Sequence, residues 1–213
     1  FHHIFHGLNN FCSVDLSARY LDILKDRLYC EAPNGRLRRS AQTTVHALAD
    51  GLTRLMTPVL TFLGEELWGY LPGEREPSAH LALMPSPVDA RLDAHLEAKW
   101  SALFELRDAV NAELEKKRAG KEIGHSLDAR VSIRAPEGTY RLLEGFSAQG
   151  LADFFIVSQC VASVDGTLSI EVGPASGEKC ARCWKFHPDT GADEKRPGTC
   201  PRCAGVLAEI AGA

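Results

Sequence analysis

Two cysteine pairs near the end of the chain carry its clearest chemistry. Cys180-Ala-Arg-Cys183 and Cys200-Pro-Arg-Cys203 are each C-x2-C, with sixteen residues between them. A C-x-x-C turn aims two sulfurs at one point, and a loop of this length brings the second turn round to complete a tetrahedron. Zinc suits four thiolates because it imposes no directional demand of its own. Four protein ligands leave no open position. The pattern therefore predicts one structural zinc ion on Cys180, Cys183, Cys200 and Cys203, not a catalytic metal. His187 follows Cys183 closely enough to compete, but four cysteines are the simpler set. The rival is a pair of redox dithiols, which ordinarily open a helix after a strand; neither pair is expected to do so. A module this short buries little apolar surface, so the metal is expected to supply most of its folding free energy.

No reaction centre accompanies these cysteines. The phosphate loop, the dinucleotide GxGxxG, HExxH and GxSxG are all missing, and no convincing pair of catalytic carboxylates is present. The chain is expected to bind, not to react.

Cations supply the candidate binding residues. Lys179, Arg182, Lys185, Lys195, Arg196 and Arg202 surround Trp184 and Phe186. Cations beside an exposed aromatic can hold phosphate and stack an unpaired base, which makes Arg182, Trp184, Lys185, Arg196 and Arg202 candidate RNA contacts. The alternative has Trp184 covering the metal turn and the cations simply solvated. A second group, Arg36, Arg38 and Arg39, opens a predicted helix, where positive charge opposes the helix dipole unless an anion compensates. These three are further candidates, against a plain solvated face. Lys116, Lys117, Arg118 and Lys121 close another predicted helix, and dipole complementation is sufficient reason for them.

Composition bounds these ideas. The 213 residues are 45% hydrophobic and 24% charged, as in an ordinary soluble protein, and the net charge is -4. Any nucleic-acid contact must then come from local patches. No apolar run approaches the roughly 18–20 residues that span a bilayer, so no membrane partner is expected. No signal peptide is visible. Cys12, Cys30 and Cys160 are scattered in apolar contexts, as buried free thiols are, which fits a reducing cytoplasm. The chain opens without Met and is expected to be a piece of something longer.

The elements that position these residues follow from periodicity. Leu16, Tyr20, Ile23, Leu24 and Leu28 form one helical face, with Ser13 or Asp15 as a possible cap and Pro33-Asn34-Gly35 as the stop. Ala41 to Met56 repeats the pattern up to Thr57-Pro58, and Val59 to Leu71 repeats it again. Three helices with short joints predict an antiparallel bundle over 1–73. Residues 74–88 have connector composition. A long helix is predicted from about Ala90 to Arg118, leaving at Gly120. Strands are expected at Ala129–Arg134, Phe154–Val157 and Leu168–Val172, with a short helix at Thr139–Phe146. The expected fold class is mainly α with a small α/β unit: an antiparallel helix bundle, a long helix with short strands, and a C-terminal four-cysteine zinc module. The expected domains are 1–88, 89–175 and 176–213.

These stretches resemble a family. Asn10-Phe-Cys-Ser-Val-Asp-Leu-Ser17 and Tyr20-Leu-Asp-Ile-Leu-Lys-Asp-Arg-Leu-Tyr29 closely resemble the anticodon-binding helices of bacterial isoleucyl-tRNA synthetases. Arg39-Ser-Ala-Gln-Thr43, Thr57-Pro-Val-Leu60, Glu65-Glu-Leu-Trp68, Leu106–Asn111 and Ile123–Ala129 continue the likeness in the family's order. The closing cysteine pairs with Trp184 look like that family's C-terminal zinc finger. The helical motifs alone would fit related class I synthetases for valine, leucine or methionine; the terminal four-cysteine module after an α/β unit favours isoleucine. The resemblance implies a parent enzyme that joins isoleucine to its tRNA using ATP. Its HIGH and KMSKS signatures and its editing domain are missing here. It implies a C-terminal portion, catalytically inactive by itself, that binds the anticodon side of tRNA(Ile) as a monomer beside the enzyme's N-terminal catalytic and editing domains. A DNA-repair glycosylase with a similar zinc finger, or a zinc-stabilised protein-interaction module, are the alternatives.

Overall fold

The computed structural model describes residues 2–88 and 92–212, which fall into two compact units, Phe1–Leu92 and Asp93–Ala213. The α/β segment and the cysteine module lie together in the second unit.

In the first unit α1 (His2–Asn10), a π-helical stretch (Phe11–Leu21) and α2 (Asp22–Cys30) run on without a break, because Asn10, Leu21 and Asp22 all hold right-handed helical dihedrals. Ser13 and Asp15 are therefore interior, not caps. Asp15 instead accepts from Arg19 one turn later at 3.2 Å. Partly buried pairs at 11–12, 15–16 and 19–20 recur every four residues, a longer step than the α-helix's 3.6 and closer to the wider π turn. The Pro33-Asn34-Gly35 turn leads into α3 (Arg36–Met56), and α4 (Thr61–Tyr70) follows Pro58. α3 packs against both α2 and α4. A crevice of about 160 Å3 joins Phe5, Leu8 and Cys12 to Met56, Val59 and Leu60. The first helix therefore starts beside the end of α3, and the two run antiparallel, as expected. Gly64 allows α4 to close on the turn after α3: a Cβ there would sit 2.2 Å from Thr57 Oγ1. The connector is tied down by Glu65, whose carboxylate accepts from Ser78 Oγ and the Ala79 N–H, both at 2.9 Å.

The second unit opens with α5 (Ala94–Ala119), whose first turn is capped by Asp93, accepting from the N–H groups of His95 and Leu96 at 2.9 and 3.0 Å. The predicted start near Ala90 falls on residues 89–91, outside the described residues. At the exit, Gly120 keeps a right-handed φ and Lys121 takes the positive one. Leu103, Leu106, Val110 and Leu114 bury the inner stripe of α5.

β1 (Ala129–Ala135) is the centre of a three-stranded sheet, parallel to β2 (Gln159–Val164) and antiparallel to β3 (Ser169–Pro174), in the order β2-β1-β3. Its alternate residues Ala129, Val131, Ile133 and Ala135 are buried. α6 (Glu137–Leu143) and α7 (Ala148–Phe155) cross from β1 to β2. The strand expected at Phe154–Val157 is instead the end of α7, and the strand begins at Gln159. Two forces override β-propensity there. Phe154 packs among Trp100, Phe104 and Phe146, with ring centroids 5.8–6.0 Å away. Ile156 then ends the helix in the left-handed region, with the Val157 N–H donating to the Ala152 carbonyl at 2.9 Å. The buried Arg107 Nε donates to the Phe154 carbonyl at 3.1 Å. Cys160 is buried, which pushes its thiol up to about 12 and leaves it inert. No helix among the described residues is long and apolar enough to cross a membrane.

Candidate metal centre

β4 (Glu178–Lys179) and β5 (Phe186–His187) form a two-residue antiparallel hairpin whose connection is the first cysteine turn. Within it the Cys180 N–H donates to the Lys185 carbonyl, and the Trp184 N–H to the Cys180 carbonyl, both at 2.9 Å. Gly177 opens the hairpin at φ +92, and a Cβ on it would come within 2.3 Å of His187 backbone atoms. The second pair lies at the start of α8 (Pro201–Gly212), with Cys200 just before it and Cys203 in its first turn. That departs from the expectation that neither pair opens a helix. The helix N-terminus favours negative charge at this end, yet the Cys183 thiol raises Cys200, and at Cys203 the pull of Cys183 is outweighed by the Cys200 thiol and burial, which raise it.

The four cysteine sulfurs lie within 4.8 Å of one another, and all four residues are buried. The Cys200 N–H donates to Cys180 Sγ at 3.3 Å, and Arg182 Nη1 lies 3.7 Å from Cys203 Sγ. Burial opposes ionisation of Cys180, but the N–H groups of Cys183, Cys200 and Arg182 outweigh it and hold that thiol at about 6. At Cys183 the bond with Cys200 pulls the thiol down, while the Cys203 thiol and burial together push it up to about 11. The first thiolate thus forms easily and its neighbours resist. A divalent cation removes that resistance, so the donor set fits zinc. His187 lies outside the cluster: its Nδ1 faces the Asp189 N–H at 3.1 Å.

The cationic candidates divide sharply by environment. Trp184 is 63% exposed and holds φ 65, a conformation that costs a non-glycine residue about 1 kcal/mol or more unless its surroundings impose it. Lys185 is the opposite. It is 7% exposed, and its Nζ pairs with the Asp153 carboxylate on α7. Lys185 was expected to meet RNA; its ammonium lies in this buried ion pair. Arg196 binds Asp193 at 3.2 Å within the loop, and Arg182 and Arg202 are half-buried. Arg36 and Arg39 are exposed, Arg39 bonding Gln42 Oε1 at 3.0 Å, whereas Arg38 donates to the Glu31 carbonyl at 3.1 Å and braces the preceding turn.

Trp184 borders a cleft of about 490 Å3 that also draws on Arg118, His125, Ser126, Ile156 and Lys179. Sequence reasoning explained Arg118 by the helix dipole alone and did not place it beside Trp184. Two scaffold residues were also missed, Asp153 and Ser158. Ser158 Oγ accepts from the Phe186 N–H at 2.7 Å and donates to the Leu127 carbonyl. With Lys185–Asp153, and with Gln159 Nε2 donating to the Ser176 carbonyl at 2.9 Å, it joins the cysteine module to the sheet. The available signal was Asp153 itself, a lone carboxylate between Leu151-Ala152 and Phe154-Phe155.

Residues 1–133 match a family described as the anticodon-binding domain of tRNA ligase, and residues 177–205 match the zinc finger found in FPG and IleRS. Among curated relatives, the isoleucine--tRNA ligase of Symbiobacterium thermophilum is 45% identical over 228 residues, covering 99% of this chain and 24% of the relative. Those of Syntrophotalea carbinolica and Carboxydothermus hydrogenoformans are 46% and 45% identical, covering 98% and 99% of this chain and 24% of each relative. The chain thus spans about a quarter of the length of the curated relatives it matches.

Proposed function

Because the chain belongs to the family of anticodon-binding domains of tRNA ligases, we propose that it is the tRNA-binding portion of an isoleucine–tRNA ligase, the class I enzyme that joins isoleucine to its tRNA using ATP. The observation that carries this is the pairing in one chain of an antiparallel helical unit with a four-cysteine centre, flanked by a cleft that bears Arg118, Lys179 and an exposed tryptophan. One zinc ion on Cys180, Cys183, Cys200 and Cys203 locks the two turns together and has no catalytic part. Its partners are tRNA(Ile) and the catalytic and editing domains of the same polypeptide. Exposed Ile4, Phe5, Phe62 and Leu63 support a larger covering body. The working form is a cytoplasmic monomer, catalytically silent without those domains.

Trp184 offers a stacking face at the cleft, and Arg118 and Lys179, which pair with the part-exposed carboxylates of Glu115 and Asp128, can exchange these for phosphate beside His125. Arg182, Arg196 and Arg202 extend the positive surface, and Arg36 and Arg39 form a second patch on the helical unit. The DNA-repair glycosylase alternative is disfavoured by residues 1–133, which match an anticodon-binding domain.

The test is binding of the full chain to isoleucine tRNA and to one unrelated tRNA, with zinc and after its removal. We expect weak, salt-sensitive binding that prefers isoleucine tRNA and weakens on zinc removal, and no ATP–pyrophosphate exchange. Equal binding of both tRNAs, or robust exchange by the pure chain, would overturn the reading.

A further inference from the structure

The backbone on both sides of Trp184 is fixed. Before it, Cys183 belongs to the cysteine cluster, and the Trp184 N–H donates to the Cys180 carbonyl. After it, the Lys185 side chain turns into the protein and pairs with Asp153, and the Phe186 N–H donates to Ser158 Oγ. Asp153 is itself steadied by Gln149, whose Nε2 donates to the same oxygen at 2.7 Å. A buried ammonium needs a partner, yet apolar side chains of similar volume often stabilise as well as a buried ion pair does. What an apolar pair lacks is direction, because two charges fix both the register and the rotation of the chain between them. In the connection before β5, Lys185 is 7% exposed and drawn to α7, whereas Trp184, at φ 65, is 63% exposed.

We propose that the Lys185–Asp153 ion pair, supported by Ser158, positions the Trp184 ring at the mouth of the cleft it shares with Arg118 and Lys179, and so sets RNA affinity without touching RNA. Lys185 and Asp153 are positioning residues. The proposal rests on the RNA-binding role given to Trp184 above.

The test uses the full, zinc-loaded chain labelled with fluorotryptophan. Its three tryptophans give three fluorine resonances, that of Trp184 being assigned through Trp184→Phe. The double variant Lys185→Met/Asp153→Leu replaces the pair with apolar side chains. The expected result is unchanged zinc content, movement and broadening of the Trp184 resonance alone, and about a tenfold loss of affinity for isoleucine tRNA. Added to Trp184→Ala, the double variant should cause no further loss, since it acts through that ring. An unmoved Trp184 resonance overturns the proposal, and so does an affinity loss that persists in full on top of Trp184→Ala. If Trp184→Ala binds tRNA like the parent chain, it is the RNA role that fails, and the fluorine comparison alone decides the positioning. Asp153→Asn keeps an acceptor for Lys185 and removes the charge. It replaces the double variant if that one fails to load zinc, with the same resonance shift expected and an unmoved resonance again fatal.

Discussion

The Phe186 N–H donates to Ser158 Oγ at 2.7 Å, and the same hydroxyl donates to the Leu127 carbonyl. One small side chain therefore joins the cysteine hairpin to the segment before β1. Ser158→Ala leaves a part-buried N–H without its acceptor, a loss of about 1–3 kcal/mol. Urea unfolding should show a lower midpoint, and the Phe186 amide should exchange faster. An unchanged midpoint with unchanged exchange would remove Ser158 as the joint.

Metal removal should act locally. Chelation is expected to unfold residues 178–203 while the helices of the first unit persist, because the hairpin and its loop contribute few buried apolar groups beyond the four cysteines. Amide exchange read by peptide tests this. Retained protection across 178–203 in stripped protein would sink the structural-zinc assignment. Since each ligand must lose its proton, zinc affinity should weaken as pH falls, and loading should release acid.

Gly177 admits no side chain. At φ +92, with His187 backbone atoms 2.3 Å from a would-be Cβ, Gly177→Ala must push β4 away from β5. The expected cost is about 1–3 kcal/mol, seen as faster zinc transfer to a competing chelator. A transfer rate equal to that of the parent chain would show that the hairpin can open at no cost to the centre.

The helical patch should behave as two exposed cations and one brace. Arg36→Ala/Arg39→Ala is expected to lower the salt-dependence slope of tRNA binding by about two, each contact contributing roughly one, with helical circular dichroism unchanged. Arg38→Ala removes the bond to the Glu31 carbonyl and should instead lower the melting temperature. A slope indifferent to the first pair would take this patch off the RNA surface.

What was legible in the sequence was whatever local spacing decides. The two C-x2-C pairs converge as their spacing predicts, and α3 ends beside Thr57-Pro58, although Thr57 itself keeps helical dihedrals and bonds the Thr53 carbonyl. What was not legible depends on contacts between distant residues. Phe154-Phe155-Ile156-Val157 has the composition of a strand, yet aromatic partners on α5 and a left-handed Ile156 make it a helix end. Lys185 stands in a row of cations with nothing local to mark it as the buried one. Its environment is set by Asp153, on a helix more than thirty residues earlier. Arg118 and Trp184 share a cleft only because the chain between them folds back.

The strand order β2-β1-β3 also fixes a sequence of events in time. β1 sits in the middle, yet its partner on one side begins at Gln159 and on the other at Ser169. One large loop must close before the central strand has any neighbour, and a longer one before it has both. Local closure is fast and distant closure slow. The central strand is therefore completed only by contacts between distant parts of the chain, which close slowly.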